Sequence, residues 1–189
     1  MFEVELKLRA DHNTLREELA AHGADHVDSR TQIDTYYDAP HREFSETDEA
    51  LRIRHEQPAN GETQPADSEA VTKITYKGPL VEAESKTREE HETVVDSESA
   101  LEGVLSGLGF EPAATVEKDR EFYALDGYTI SLDDVTGLGE FIEIEQEATE
   151  DEVEAVREGA VDLLSALGLD ASDQIRTSYL GLLLAAEDA

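Results

Sequence analysis

Apolar and polar residues alternate strictly from residue 2 to residue 9. Phe2, Val4, Leu6 and Leu8 share one parity, and Glu3, Glu5, Lys7 and Arg9 share the other. A period of two marks a strand with two unlike faces. Similar stretches predict further strands at about 31–38, 50–56, 71–77, 84–95, 112–125, 128–134 and 139–147. Leu51 and Ile53 oppose Arg52 and Arg54, Ile74 and Tyr76 oppose Lys73, Thr75 and Lys77, and the 84–95 run carries Glu84, Lys86, Arg88, Glu90 and Glu92 at one parity. Elsewhere the spacing becomes helical. A helix is expected at about 11–22, closed by Gly23, and a second at 97–108, with Leu101, Val104, Leu105 and Leu108 as its apolar face and Gly109 as its stop. A third starts at Thr149, where Thr149 and Glu152 read as a capping box, and buries Val153, Val156, Ala160, Val161 and Leu164. A last helix, about 173–186, presents Ile175, Tyr179, Leu182 and Leu183. Residues 57–70, with Pro58, Asn60-Gly61 and Pro65, have no period and read as a mobile surface loop within the pattern.

Strands, helix, strands, helices in two similar halves describe an α+β chain that repeats a β-meander, with residues 1–189 as one domain. Charge then changes the picture. Forty-six Asp and Glu face fifteen Lys and Arg, a formal −31. Nucleic acid and anionic membrane surfaces need a basic footprint, so neither is an expected partner. With no Cys, disulfides, thiol catalysis and cysteine zinc sites are excluded. No stretch approaches the roughly 20 apolar residues of a membrane span, and the start of the chain lacks a signal pattern, so a cytoplasmic location is expected. The acid is spread over a periodic chain, as suits a folded protein of a very salty cytoplasm, where salt screens self-repulsion.

Against that background the cations are informative. All five lysines and Arg9, Arg52, Arg54, Arg88 and Arg120 fall in predicted strands, on faces that also carry acid. An open sheet would turn such faces to water. An eight-stranded antiparallel closed barrel would gather them inside, with apolar faces packed outward against the helices. Such an interior makes sense only around water, metal and a multiply charged ligand, since bare buried charges are costly.

Three constellations carry chemistry. Glu3-x-Glu5-x-Lys7 puts two carboxylates and an ammonium on one strand face, suited to a hard divalent cation beside a phosphate, although in so acidic a chain the same run also serves as a solvated face. Arg52, Arg54, Lys73, Lys77, Arg88, Lys118 and Arg120 supply forks and point charges for a ligand of several negative charges. Asp133, Glu143 and Glu145 flank the Gly137-Leu138-Gly139 reversal, and with Glu3 and Glu5 make a candidate metal cluster. The six histidines show no metalloprotease or triad spacing, and no phosphate-binding glycine loop is present.

Taken together, the chain resembles the CYTH superfamily, the triphosphate tunnel metalloenzymes. The resemblance rests on Glu3-Val4-Glu5-Leu6-Lys7, Asp34-Thr35-Tyr36-Tyr37-Asp38, Ala50-Leu51-Arg52-Ile53-Arg54, Tyr76-Lys77-Gly78-Pro79, Arg88-Glu89-Glu90, Glu117-Lys118-Asp119-Arg120 and the run from Asp133 to Glu143, with Ser178-Tyr179-Leu180 near the end. It implies a tunnel that binds a triphosphate, with Mg²⁺ or Mn²⁺ at Glu3, Glu5 and Glu143 and with Asp133 in or beside that shell; Glu145 completes the candidate metal set. Lys7, Arg52, Arg54, Lys77, Arg88, Lys118 and Arg120 would hold phosphates, and Glu3, Glu5, Lys7 and Lys118 are the expected catalytic groups. The motifs are most like the class IV adenylate cyclase branch, which converts ATP to cyclic AMP and pyrophosphate. The rivals are thiamine triphosphatase or inorganic tripolyphosphatase, and a non-catalytic polyphosphate or nucleotide binder. A homodimer is compatible with this reading. Lys73 and Lys86 match no family motif.

Overall fold

The alternating segments form β1 (Phe2–Arg9), β2 (Asp25–Asp38), β3 (Ala50–Pro58), β4 (Val71–Lys77), β5 (Arg88–Val95), β6 (Glu111–Leu125), β7 (Tyr128–Val135) and β8 (Gly139–Ala148). The structure is a computed structural model and describes residues 2–59, 70–81 and 85–187; Glu84 and most of the expected 57–70 loop lie outside them. Every pairing is antiparallel, and the strands close into a barrel in the order β1-β5-β4-β3-β2-β6-β7-β8. β2 begins six residues before its alternation becomes legible, because a register shift between His26 and Asp28 interrupts the period.

Outward faces pack as alternation dictates. Leu6, Leu8, Ile130, Leu132, Ile142 and Ile144 form one core with Leu15 and Leu19 of α1 (His12–Ala21) and Leu163 and Leu164 of α4 (Val153–Ala166). A second core joins Tyr37, Leu51 and Ile53 to Leu105 of α3 (Glu98–Gly107), with Phe44 of the short α2 (Phe44–Thr47) against it. Of the predicted apolar face of α3 only Leu105 is buried; Val104 is 57% exposed and Leu108 64%.

A third core breaks the polar-inside pattern. Val116 stands opposite Asp34, Val135 opposite Lys118, and Phe141 opposite both Asp133 and Arg9. Directly opposed residues share a face, so these three side chains point into the barrel beside its charges. Tyr179 packs with them, and Leu180, Leu182 and Leu183 surround the cluster from α5 (Tyr179–Glu187). One end of the interior is therefore filled by apolar groups carried partly on the last helix.

Two helix starts differ from expectation. At Thr149 the backbone N–H and the hydroxyl both donate to the Glu152 carboxylate (3.0 and 2.6 Å), so only half of a capping box forms and the α-helix begins at Val153. The last helix begins at Tyr179, after a short 3₁₀ turn at Ala171–Asp173. The Ile175 N–H instead donates to the Lys7 carbonyl at 2.7 Å, and Ser178 Oγ accepts from the Gly181 N–H at 3.1 Å as the helix cap.

Candidate active site

The inward parity of eight strands brings the sequence-predicted charges around one cavity of about 900 Å³. Glu3, Glu5, Lys7, Arg52, Arg54, Lys77, Arg88, Lys118, Arg120, Glu143 and Glu145 all line it, and Lys73, Lys86, Glu90 and Glu92 do so as well. The volume lies in the range of small-molecule sites.

On the β2–β3 wall, Asp34 clamps two arginines. Arg54 donates through Nε and Nη2 to its two oxygens at 2.6 and 2.7 Å, and Arg52 Nη1 reaches it at 3.3 Å. Burial opposes the charge on Asp34, yet these guanidiniums hold its pKa well below the usual carboxylate range. The arginines are thereby fixed in place with part of each fork left free.

On the β6–β7–β8 wall Asp133 is fully buried. It accepts from Lys118 Nζ at 3.0 Å, from Arg120 and from the Tyr179 hydroxyl at 2.8 Å. Arg120 also donates to Glu143, which lies 3.8 Å from Lys7 Nζ. The Tyr179 ring carries Lys7 Nζ at 4.4 Å and Lys118 Nζ at 5.0 Å from its centroid, a cation–π geometry. Burial, with Arg120 nearby, pushes Lys118 down to about 8.

Between these walls lies an acidic corner. Register puts Glu5 opposite Glu145, and carboxylate oxygens of Glu3, Glu5 and Glu145 fall within 4.8 Å of one another. Lys77 touches Glu3 at 3.1 Å and Glu90 at 2.6 Å, and Lys7 lies 3.7 Å from Glu5. Among the described residues Glu145 has no ion pair, and burial followed by the Glu3 charge pushes its pKa up to about 8. Burial raises Glu3 as well. Three crowded carboxylates that offer only hard oxygen donors fit a Mg²⁺ or Mn²⁺ ion.

Residues 1–179 match the CYTH domain. The chain belongs to the CYTH family. It is 36% identical over 184 residues to a Methanocaldococcus jannaschii protein named "Putative adenylate cyclase MJ0240", covering 96% of this chain and 98% of that one. It is 28% identical over 182 residues to "Adenylate cyclase CyaB" of Aeromonas hydrophila, covering 94% and 86%. Among solved structures, the PH1819 protein of Pyrococcus horikoshii superposes with a TM-score of 0.85 at 38% identity, covering 97% of this chain and 99% of that one. The closed eight-stranded barrel is the CYTH tunnel fold.

Within this CYTH barrel the five candidate metal carboxylates divide. Glu3, Glu5 and Glu145 meet, whereas Asp133 and Glu143 are engaged by Lys118, Arg120 and Lys7. The cause is register: Glu143 stands opposite Lys7 and Ser131, and Asp133 opposite Phe141. Arg88 is turned to the Asp48 carbonyl and carboxylate at 2.6 and 2.9 Å. Sequence reading assigned no site role to Asp34, Glu90 or Glu92, although β5 parity already put the two glutamates on the face of Arg88. Tyr179 appeared there only as a core residue and a motif letter; its hydroxyl contact with Asp133 follows from where α5 packs.

Proposed function

We propose that this chain is a divalent-metal-dependent enzyme of one CYTH domain, residues 1–189, that converts ATP to cyclic AMP and pyrophosphate. The observation that carries the metal-dependent triphosphate reading is the juxtaposition of the Glu3–Glu5–Glu145 corner with clamped cations around one cavity. A site that holds only phosphate has no use for three crowded carboxylates. The name borne by the 36%-identical relative supports cyclisation as the reaction.

In this reading Arg52 and Arg54, steadied by Asp34, take phosphoryl oxygens with their free N–H groups. Lys118 and Arg120, steadied by Asp133, face them with Lys7 and Lys77, and Arg88 joins the phosphate set by exchanging its Asp48 contact for the ligand. A divalent ion held by Glu3, Glu5 and Glu145 would supply charge neutralisation on the phosphates and acidify the attacking hydroxyl. The ribose 3′-oxygen forms a bond to the α-phosphorus, the bond to the β-phosphate oxygen breaks, and pyrophosphate and the hydroxyl proton leave. The barrel's groups position and neutralise. Water attacking the terminal phosphorus would instead make the chain a hydrolase of thiamine triphosphate or tripolyphosphate.

The test is product identification in molar KCl with Mg²⁺ or Mn²⁺ and each of ATP, thiamine triphosphate and tripolyphosphate. Cyclic AMP with equimolar pyrophosphate from ATP is expected. Inorganic phosphate with the matching diphosphate (ADP, thiamine diphosphate or pyrophosphate) and no cyclic AMP would replace cyclisation with hydrolysis, and tight binding without turnover would make the chain a sensor.

A further inference from the structure

The strand expected from residue 84 begins at Arg88, so Lys86 lies two residues before β5, on the parity it shares with Arg88. Its backbone N–H donates to the Glu5 carbonyl at 3.2 Å. That bond continues the Glu3↔Arg88 pairing by two residues and sets Lys86 across from Glu5 on the inward face. The backbone there is fixed: the Val81 N–H donates to the Thr87 carbonyl at 3.0 Å, and the buried Ser85 and Thr87 hydroxyls bond at 2.6 Å. The Lys86 side chain is only 7% exposed and lines the cavity.

Its partners distinguish it. Lys7, Arg52, Arg54, Lys73, Lys77, Arg88, Lys118 and Arg120 each have a carboxylate partner. Among the described residues the Lys86 ammonium makes neither an ion pair nor a hydrogen bond. The attraction of Glu5 and Asp48 is opposed by the positive charges of Lys7 and Arg88. An ammonium that lines the cavity from a rigid turn, with no carboxylate of its own, points to an anion in the cavity that completes it. Because Lys86 flanks the acidic corner, that anion would reach the ammonium and a cation bound at the corner together, as a phosphoryl oxygen does.

We propose that Lys86 is an anion-binding residue of the tunnel, taking a phosphoryl oxygen of the triphosphate beside the Glu3–Glu5–Glu145 carboxylates. The proposal rests on the triphosphate reading of the cavity. It is tested by titrating tripolyphosphate, without metal, into the full chain in molar KCl at pH 7, with Lys86→Met and Lys86→Arg alongside. Loss of a charge-assisted contact should weaken binding to Lys86→Met about ten- to hundred-fold. Lys86→Arg should recover most of it, and the ligand-free melting temperature of Lys86→Met should be unchanged or higher. Equal affinity in Lys86→Met and the parent would overturn the role of Lys86 while leaving the triphosphate site standing. A ligand-free melting temperature several degrees lower would overturn it too, since the ammonium would then have a structural partner. No tripolyphosphate binding by the parent would remove this inference and the triphosphate reading together.

Discussion

Titrating Mg²⁺ into the protein should drive a proton off Glu145. A carboxyl with a pKa of about 8 is protonated in roughly nine molecules of ten at pH 7, in about half at pH 8 and in about one of ten at pH 9. A hard cation takes the carboxylate and not the acid, so binding expels whatever proton is present. This group alone should therefore release about 0.9 proton per ion at pH 7, about 0.5 at pH 8 and about 0.1 at pH 9. The apparent affinity should rise about tenfold from pH 6 to 7, about fivefold from 7 to 8, and then level. The effect on stability has a definite sign. The folded pKa is raised, so the metal-free protein loses stability as pH rises from the ordinary glutamate value through about 8, while the stabilisation by Mg²⁺ grows across the same window. Calorimetric titration in buffers of different ionisation enthalpy at equal pH counts the protons. Glu3, also raised by burial, adds release of its own, so Glu145→Gln is the decisive comparison. It should remove the share that fades between pH 7 and 9 and weaken Mg²⁺ binding. A release that is flat from pH 6 to 9, or the same in Glu145→Gln, would refute the assignment of Glu145 to the metal corner.

Glu5→Gln should abolish turnover with the melting temperature held within a few degrees, because a neutral amide is a poor ligand for a hard cation; near-normal activity at saturating Mn²⁺ would remove Glu5 from the metal set. Asp133→Ala leaves Lys118 and Arg120 without their shared partner and should destabilise the unliganded fold by about 3–5 kcal/mol in denaturant titrations. A loss under about 1 kcal/mol would mean that Glu143 alone suffices to hold them. Self-repulsion from −31 should loosen the chain below roughly 0.5 M salt, and identical cooperative melts in low and high KCl would show that the acidity is no adaptation to salt.

The strand faces were legible because alternation is a local property: Glu3, Glu5 and Lys7 point the same way whatever β1 pairs with. Register is not local. Nothing in the Asp133–Glu143 segment alone discloses that Glu145, not Glu143, comes opposite Glu5, nor that Asp133 is taken up by Lys118 and Arg120. Val104 in α3 and Leu108 just after it sit at helical spacing and read as core, yet the underlying strands bury only Leu105; a periodic face is necessary for burial and not sufficient. Thr149-x-x-Glu152 has the letters of a capping box, but the threonine hydroxyl donates where it needed to accept. Parity with Arg88 already put Lys86 on the charged face, but its place across from Glu5 depends on the backbone bond to β1.

The seam that closes the barrel has a consequence for how the molecule comes into being. β1 is paired along its whole length with β8, and with β5 only through Phe2 and Glu3. The first carboxylates to be synthesised therefore wait for Glu145 before the acidic corner exists, and for Tyr179 before Lys7 and Lys118 have the ring they pack on. Contacts so distant along the chain make for slow folding, and until they form both seam strands present bare edges able to pair with another chain. A ribosome-bound fragment ending before β8 would carry all the cavity-lining lysines and strand arginines named above, with neither a closed barrel nor the acidic corner. Aggregation during expression should accordingly track the time between synthesis of β1 and the arrival of β8, and conditions that slow that last stretch of translation should worsen it.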